Sequence, residues 1–161
     1  MIGMLARLFA RGEPALSEAT PHDAVAIAKL HAASFRQGWS DGEIERLLLD
    51  RNIVAHRGTI GRTLAGFILS RLAADEAEIL SVAVASSRRG RGLARALLNL
   101  HMRRLAGLGA RAVFLEVDED NEPARRLYRR AGFREVGRRP GYYQQGRDHA
   151  ATALLLRRDL V

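Results

Sequence analysis

Ser86-Ser-Arg-Arg-Gly90-Arg-Gly92-Leu-Ala94 lies between an apolar run, Glu78-Ile-Leu-Ser-Val-Ala-Val84, and a stretch where Leu93, Ala96, Leu97, Leu100, Leu105 and Leu108 recur at helical spacing. The first run reads as a central strand and the second as a helix from about Leu93 to Leu108. A strand, a Gly/Arg loop and a helix in that order bring unused backbone N–H groups and the positive end of a helix dipole to one point, where an anion can bind. Gly90 and Gly92 allow close backbone approach to a phosphate, and three arginines surround it. By itself the loop could equally be a solvated Arg/Gly turn. Two other phosphate motifs fail on residues: no Gly-Lys-Ser/Thr triplet exists, and Gly90-x-Gly92 is followed by Arg95 where a dinucleotide fingerprint needs Gly or Ala.

Upstream, residues 15–19 form a short opening strand. Thr20-Pro21-His22-Asp23 then starts a helix, with Thr20 as N-cap and Pro21 at its first position, running to about Phe35. Ser40-Asp41-Gly42-Glu43 is a capping box that opens a second helix with Ile44, Leu47 and Leu48 on its apolar stripe. Asn52 to His56 reads as a strand, residues 57–62 as a Gly-containing turn, and Leu64 to Leu72 as a longer strand. Downstream come a buried strand from Ala112 to Val117, a helix from Glu122 to Ala131 ended by Gly132, and strands at Phe133–Gly137 and Ala151–Leu156. The order β-α-α-β-β-β-α-β-α-β-β predicts an α+β protein with a mixed sheet and helices on both faces.

The 161 residues suit one domain, expected over 15–161 behind a leader of unknown role at 1–14. That leader lacks the apolar core of a signal peptide, and no run approaches the ~20 apolar residues of a membrane span. A cytoplasmic protein without membrane contact is expected. The absence of cysteine excludes disulfides, thiolate metal sites and a cysteine nucleophile, and the five scattered histidines predict no metal site. Charge is uneven: residues 1–80 hold nine basic and ten acidic side chains, whereas residues 81–161 hold seventeen and eight. All seventeen are arginine, whose planar fork suits phosphate. The second half therefore points to a bound anion, either a phosphorylated cofactor or a nucleic acid.

Two segments carry a family resemblance. Arg89-x-x-Gly92-x-Ala94 resembles the Q/R-x-x-G-x-G/A signature of the GNAT superfamily of N-acetyltransferases, and Asn121-Glu-Pro-Ala124-Arg-Arg-Leu127-Tyr128-Arg-Arg-Ala-Gly132-Phe133 is similar to its N-x-x-A-x-x-L-Y-x-x-x-G-F segment. The resemblance implies a GNAT fold with a central, mostly antiparallel sheet, and acetyl-CoA as co-substrate without a metal. It implies that backbone amides of Arg89, Gly90, Arg91, Gly92, Leu93 and Ala94 hold the CoA pyrophosphate. Val82 and Val84 would pair with the pantetheine arm, and Asn121 would belong to the same site.

Within the superfamily the chain most resembles the ribosomal-protein-alanine N-acetyltransferases of RimI type, over roughly residues 19–157. His31-Ala-Ala-Ser-Phe35 with Trp39-Ser40, Ala77 to Val84, Leu115-Glu-Val117 and Arg138-Arg-Pro-Gly-Tyr142-Tyr143 carry this. Arg36-Gln-Gly38 departs from that family's proline-containing stretch. The resemblance implies a protein N-terminus as acceptor, that of a ribosomal protein, held by Trp39, Tyr142 and Tyr143, with no need for nucleic acid. Lysine side chains, small amines and a non-catalytic RNA-binding role are the alternatives. Direct attack in a ternary complex needs an acid and a base. Tyr128 is the candidate acid and Glu116 the candidate base, with Glu78 on the neighbouring strand in reserve. Glu116, Asp118, Glu119, Asp120 and Glu122 would serve a helix N-terminus, attract a cationic substrate, or both.

Overall fold

The computed structural model describes residues 12–143 and 151–160, with only the backbone at Tyr142 and Tyr143. Most of the expected leader and residues 144–150 lie outside the described residues. The elements are β1 (Ala15–Glu18), α1 (Ala24–Ser34), α2 (Asp41–Leu49), β2 (Ile53–Ile60), β3 (Thr63–Ala73), β4 (Glu76–Val84), α3 (Leu93–Gly107), β5 (Ala112–Asp118), α4 (Glu122–Arg130), β6 (Arg134–Tyr143) and β7 (Ala151–Asp159). The seven strands form one sheet in the order β1-β2-β3-β4-β5-β7-β6. Every neighbouring pair is antiparallel except β4 with β5.

Strand alternation divides the core between the two faces. Val113, Leu115 and Val117 of β5 pack with Leu93, Leu97, Leu98, Met102 and Leu105 of α3 and with Tyr128 of α4. On the other face, Phe67, Leu69 and Ala83 pack with Ala24, Ile27 and Ala28 of α1 and Ile44 of α2. Helices thus cover both faces of a mixed, mostly antiparallel sheet, as expected.

The Ser40 capping box forms in full: Ser40 Oγ accepts from Glu43 N at 3.2 Å, and Glu43 Oε2 accepts from Ser40 N at 2.7 Å. At the first helix the outcome differs. Pro21–Asp23 is a separate 3₁₀ turn and α1 proper starts at Ala24. Asp23 accepts from Thr20 N at 2.8 Å and also pairs with Arg57, so this acid tightens the turn and ties it to β2.

Three other expectations are corrected. Residues 57–60 continue β2 rather than turning, and the turn is only Gly61-Arg62. Gly58 is there for space: a Cβ on it would lie 2.9 Å from Leu93 Cδ1. β6 runs on through Pro140 to Tyr143, so the tyrosine pair ends a strand and Tyr143 faces Ala151 in register. As an edge strand, β6 tolerates the missing N–H of a proline. Leu108, assigned inward, is 40% exposed, while His101 is fully buried among the apolar residues of α3.

That histidine completes a polar line beneath α3. Ser70 Oγ lies 2.6 Å from His101 Nε2, and His101 Nδ1 lies 2.7 Å from His56 Nδ1. Two facing ring nitrogens can share only one proton, so the hydrogen bonds must all point one way along the line. Burial, and then the neighbouring His56, push the His101 pKa down to about 3.

Candidate active site

The site begins where the single parallel pairing fails. β4 and β5 are in register only over Glu76–Glu78 and Ala112–Phe114. Immediately beyond, β4 carries a bulge: Leu69 faces Ser81 and Ser70 faces Ile79, which leaves Leu80 without an opposite number. A bulge bends the strand and resets its alternation. Before it, Ala77 and Ile79 face α3, and after it Val82 and Val84 do. The β5-side edge of β4 from Ile79 to Val84 therefore has no strand in register with it, and its backbone groups are open to a ligand.

Past this edge the chain enters the anion loop. Ser86–Arg88 is a 3₁₀ turn; Gly90 and Gly92 have left-handed φ values of 76° and 84°, and Gly92 is the N-cap of α3. A Cβ built on either glycine meets nothing within 4 Å, so the loop faces open space. Ala96 N is the first helical donor, bonded to Gly92 O at 3.0 Å, which leaves the preceding first-turn N–H groups pointing outward. Leu93 sends its side chain into the core, and only its N–H can serve the loop. Arg89 Nε donates to Val84 O at 3.1 Å, which fixes the loop against the end of β4. Asn121 is the N-cap of α4, its side chain accepting from Ala124 N at 3.2 Å. The open glycines, the helix N-terminus and the free strand edge fit an acyl-CoA: amides of 89–94 would hold the diphosphate, and β4 would hold the extended arm.

On the opposite face a cleft of about 830 Å³ is lined by His31, Phe35, Gln37 and Trp39 from α1 and its following loop, by Glu43, Arg46, Leu47 and Asp50 around α2, and by Arg71, Glu78 to Ser81 and Glu116 from the sheet. Trp39, Glu78 and Glu116 thus line one cleft, beside the start of the open edge of β4. Glu116 is half-buried and ion-paired to Arg139 of β6 at 3.4 Å. Ser81 Oγ is buried with no hydrogen-bond partner among the described residues.

Tyr128 lies on the other face of the sheet from Glu116, its ring meeting that of Phe133 edge-on at 5.7 Å. Burial pushes its pKa up to about 12. Glu116 and Tyr128 therefore lie on opposite faces of the sheet. The side chains of Tyr142 and Tyr143 are outside what the structure describes.

Several cleft residues were not singled out as site residues in the sequence. His31 enters the sequence reading only as part of the His31-Ala-Ala-Ser-Phe35 resemblance, with no role of its own. Ser81 and Arg139 lie within matched segments without a marked role and Arg71 lies outside them, because it is strand register that brings Ser81 and Arg71 to the cleft and Arg139 to Glu116.

The fold matches known proteins. The chain belongs to the acetyltransferase (GNAT) family, whose profile matches residues 24–133. It is 34% identical over 146 residues to the N-alpha-acetyltransferase RimI of Mycobacterium tuberculosis, covering 87% of this chain and 89% of that protein. It is 36% identical over 132 residues to the mycothiol acetyltransferase of Clavibacter michiganensis, covering 76% of this chain. The chain spans about two fifths of the length of several curated relatives that it matches, 43% in that case. The crystal structure of the ribosomal-protein-S18-alanine N-acetyltransferase from Escherichia coli superposes with a TM-score of 0.84 at 25% identity, covering 91% of this chain and 93% of that one.

Proposed function

We propose that the protein is an acetyl-CoA-dependent N-acetyltransferase acting on a protein N-terminal α-amine, the N-terminal alanine of a ribosomal protein, in the cytoplasm. Residues 15–161 would form its single catalytic domain. The observation that carries the proposal is the cleft lined by Trp39, Glu78 and Glu116 beside the unpaired edge of β4. Relatives named for N-terminal acetylation and covered over almost their whole length support the acceptor class.

Acetyl-CoA supplies an acyl group activated as a thioester, and the chain's own residues do the rest. Trp39 and its neighbours confine the first residues of the peptide. Glu116 takes a proton from the incoming ammonium, directly or through one water, and Arg139 holds its carboxylate in place. An α-amine has a pKa near ~8 against ~10.4 for lysine, so deprotonation at pH 7 costs about 1.4 rather than about 4.6 kcal/mol. One carboxylate suffices for the easier task. On the opposite face Tyr128 donates a hydrogen bond to the departing sulfur as charge gathers there. With a pKa of about 12 it retains its proton over the working range. Full transfer to a thiolate near ~8.5 would be uphill by about 5 kcal/mol, so the proton that ends on sulfur originates on the amine.

The Clavibacter relative favours a second reading, a small-molecule amine as acceptor. Competition decides between the readings. An Ala-first peptide lacking lysine is offered with acetyl-CoA beside an N-blocked, lysine-bearing version and a small primary amine, and products are resolved by mass spectrometry. The Ala-first peptide is expected to be acetylated first; preference for either competitor would overturn the proposal.

A further inference from the structure

Gln37 and Trp39 of the 36–39 loop between α1 and α2 help to wall the cleft opposite the sheet. We propose that His31 is a positioning residue for the acceptor, clamping this loop onto α1 so that Trp39 stands as a fixed wall of the cleft. The inference rests on the reading of this cleft as the acceptor site.

Three contacts make the clamp. His31 Nδ1 accepts from the backbone N–H of Trp39 at 3.1 Å. The imidazole stacks on the indole, with centroids 4.4 Å apart and planes 14° from parallel. Gly38 lies so close to α1 that a Cβ on it would be 2.9 Å from both Cα and Cβ of Ala32, so the loop reaches the helix only because that residue has no side chain. His31 itself is 4% exposed and lines the cleft with Trp39 and Phe35. Since Nδ1 must be bare to accept, the neutral ring carries its proton on Nε2.

A second proton on the ring would occupy Nδ1 and turn the acceptor into a donor facing another donor. Burial lowers the His31 pKa below 6.5 and outweighs the opposing pull of Glu43. The other charged groups around the cleft are Arg46 and Asp50 of the α2 region, Arg71, Glu78 and Glu116. The clamp is therefore closed at neutral pH and opens only at a pH below 6.5.

Trp39 is the protein's single tryptophan, so its fluorescence reads the clamp directly. The experiment uses the full chain with an Ala-first peptide and acetyl-CoA. His31→Phe keeps a stacking ring but deletes the acceptor; His31→Asn restores an acceptor close to the Nδ1 position. For His31→Phe, the peptide KM is expected to rise about tenfold while kcat and the acetyl-CoA KM stay within about twofold, and acrylamide should quench Trp39 more readily. His31→Asn should return the peptide KM to within about threefold of the parent. Trp39 fluorescence of the parent should titrate with a midpoint below 6.5, and the transition should vanish in His31→Phe. Gly38→Ala, which reaches the loop from its other side, should move the peptide KM and the quenching in the same direction. Parent-like quenching in both His31→Phe and Gly38→Ala, or His31→Asn as impaired as His31→Phe, would overturn the proposal. If the parent acetylates no Ala-first peptide, the functional reading fails, and quenching and titration still decide the clamp without substrate.

Discussion

Acidification should erode the stability contributed by the buried line Ser70–His101–His56 while His101 itself stays neutral in the folded protein. His101 is 0% exposed and its native pKa is held at about 3, against an ordinary value of 6.5 once the chain unfolds. A histidine whose folded pKa is depressed contributes stability that is fully present above the unfolded value and is lost as pH falls from there toward the folded value. From pH 7.5 to pH 4.5 the unfolded chain gains a proton at this position and the native state does not. Two pH units below the unfolded pKa cost about 2.7 kcal/mol from His101 alone. Burial also lowers the pKa of His56 and His31, which adds in the same direction. Carboxylates titrate near ~4 and are only partly protonated at pH 4.5, so the imidazoles dominate this window. Urea denaturation at a series of pH values measures the loss, and His101→Leu identifies its source. That variant should be destabilised at pH 7.5 by about 1–3 kcal/mol, since Ser70 and His56 lose their partner. Its stability should nevertheless change less between the two pH values than that of the parent, by about 2–3 kcal/mol. A parent stability flat to within about 0.5 kcal/mol across the window, or an unchanged pH slope in His101→Leu, would refute the reasoning.

Gly92→Glu should abolish the rise in Tm that acetyl-CoA produces, because it puts a carboxylate and a side chain at a left-handed position facing the anion site; an undiminished shift at millimolar ligand would move the diphosphate elsewhere. Glu116→Gln should lower kcat by about 10²–10⁴-fold and Tyr128→Phe by about 10²–10³-fold, each with little change in CoA affinity measured by calorimetry. Parent-like turnover in both would mean that solvent manages the protons.

The parts of the fold that were legible in the sequence are those governed by neighbours along the chain. The capping box at Ser40, the helix opened at Leu93 and the strand–loop–helix junction all follow from local chemistry, and each is present in the structure. Gly58 misled because a glycine that makes room for Leu93 looks the same in sequence as one that makes a turn. Pro140-Gly141 misled because proline is expelled from a strand only when that strand is interior, and the sequence does not reveal which strand lies at the edge. The candidate site divides in the same way. Trp39, Glu116, Tyr128 and the glycine loop were visible as motifs, whereas Arg139 reaches Glu116 only through the β5-β7-β6 register. The role of His31 depends on a loop folding back over eight residues.

The short register between β4 and β5 has a mechanical consequence. Four antiparallel strands on one side and three on the other are joined by three residue pairs, with α3 and the shared core as the remaining bridge. The sheet is therefore two stiff plates with a soft suture. A molecule lying in the suture would restrain both plates at once, so amides remote from any ligand contact, such as those at the middle of β7, should exchange more slowly once it is filled. The protein would pass from a hinged body to a rigid one without any helix or strand changing its conformation.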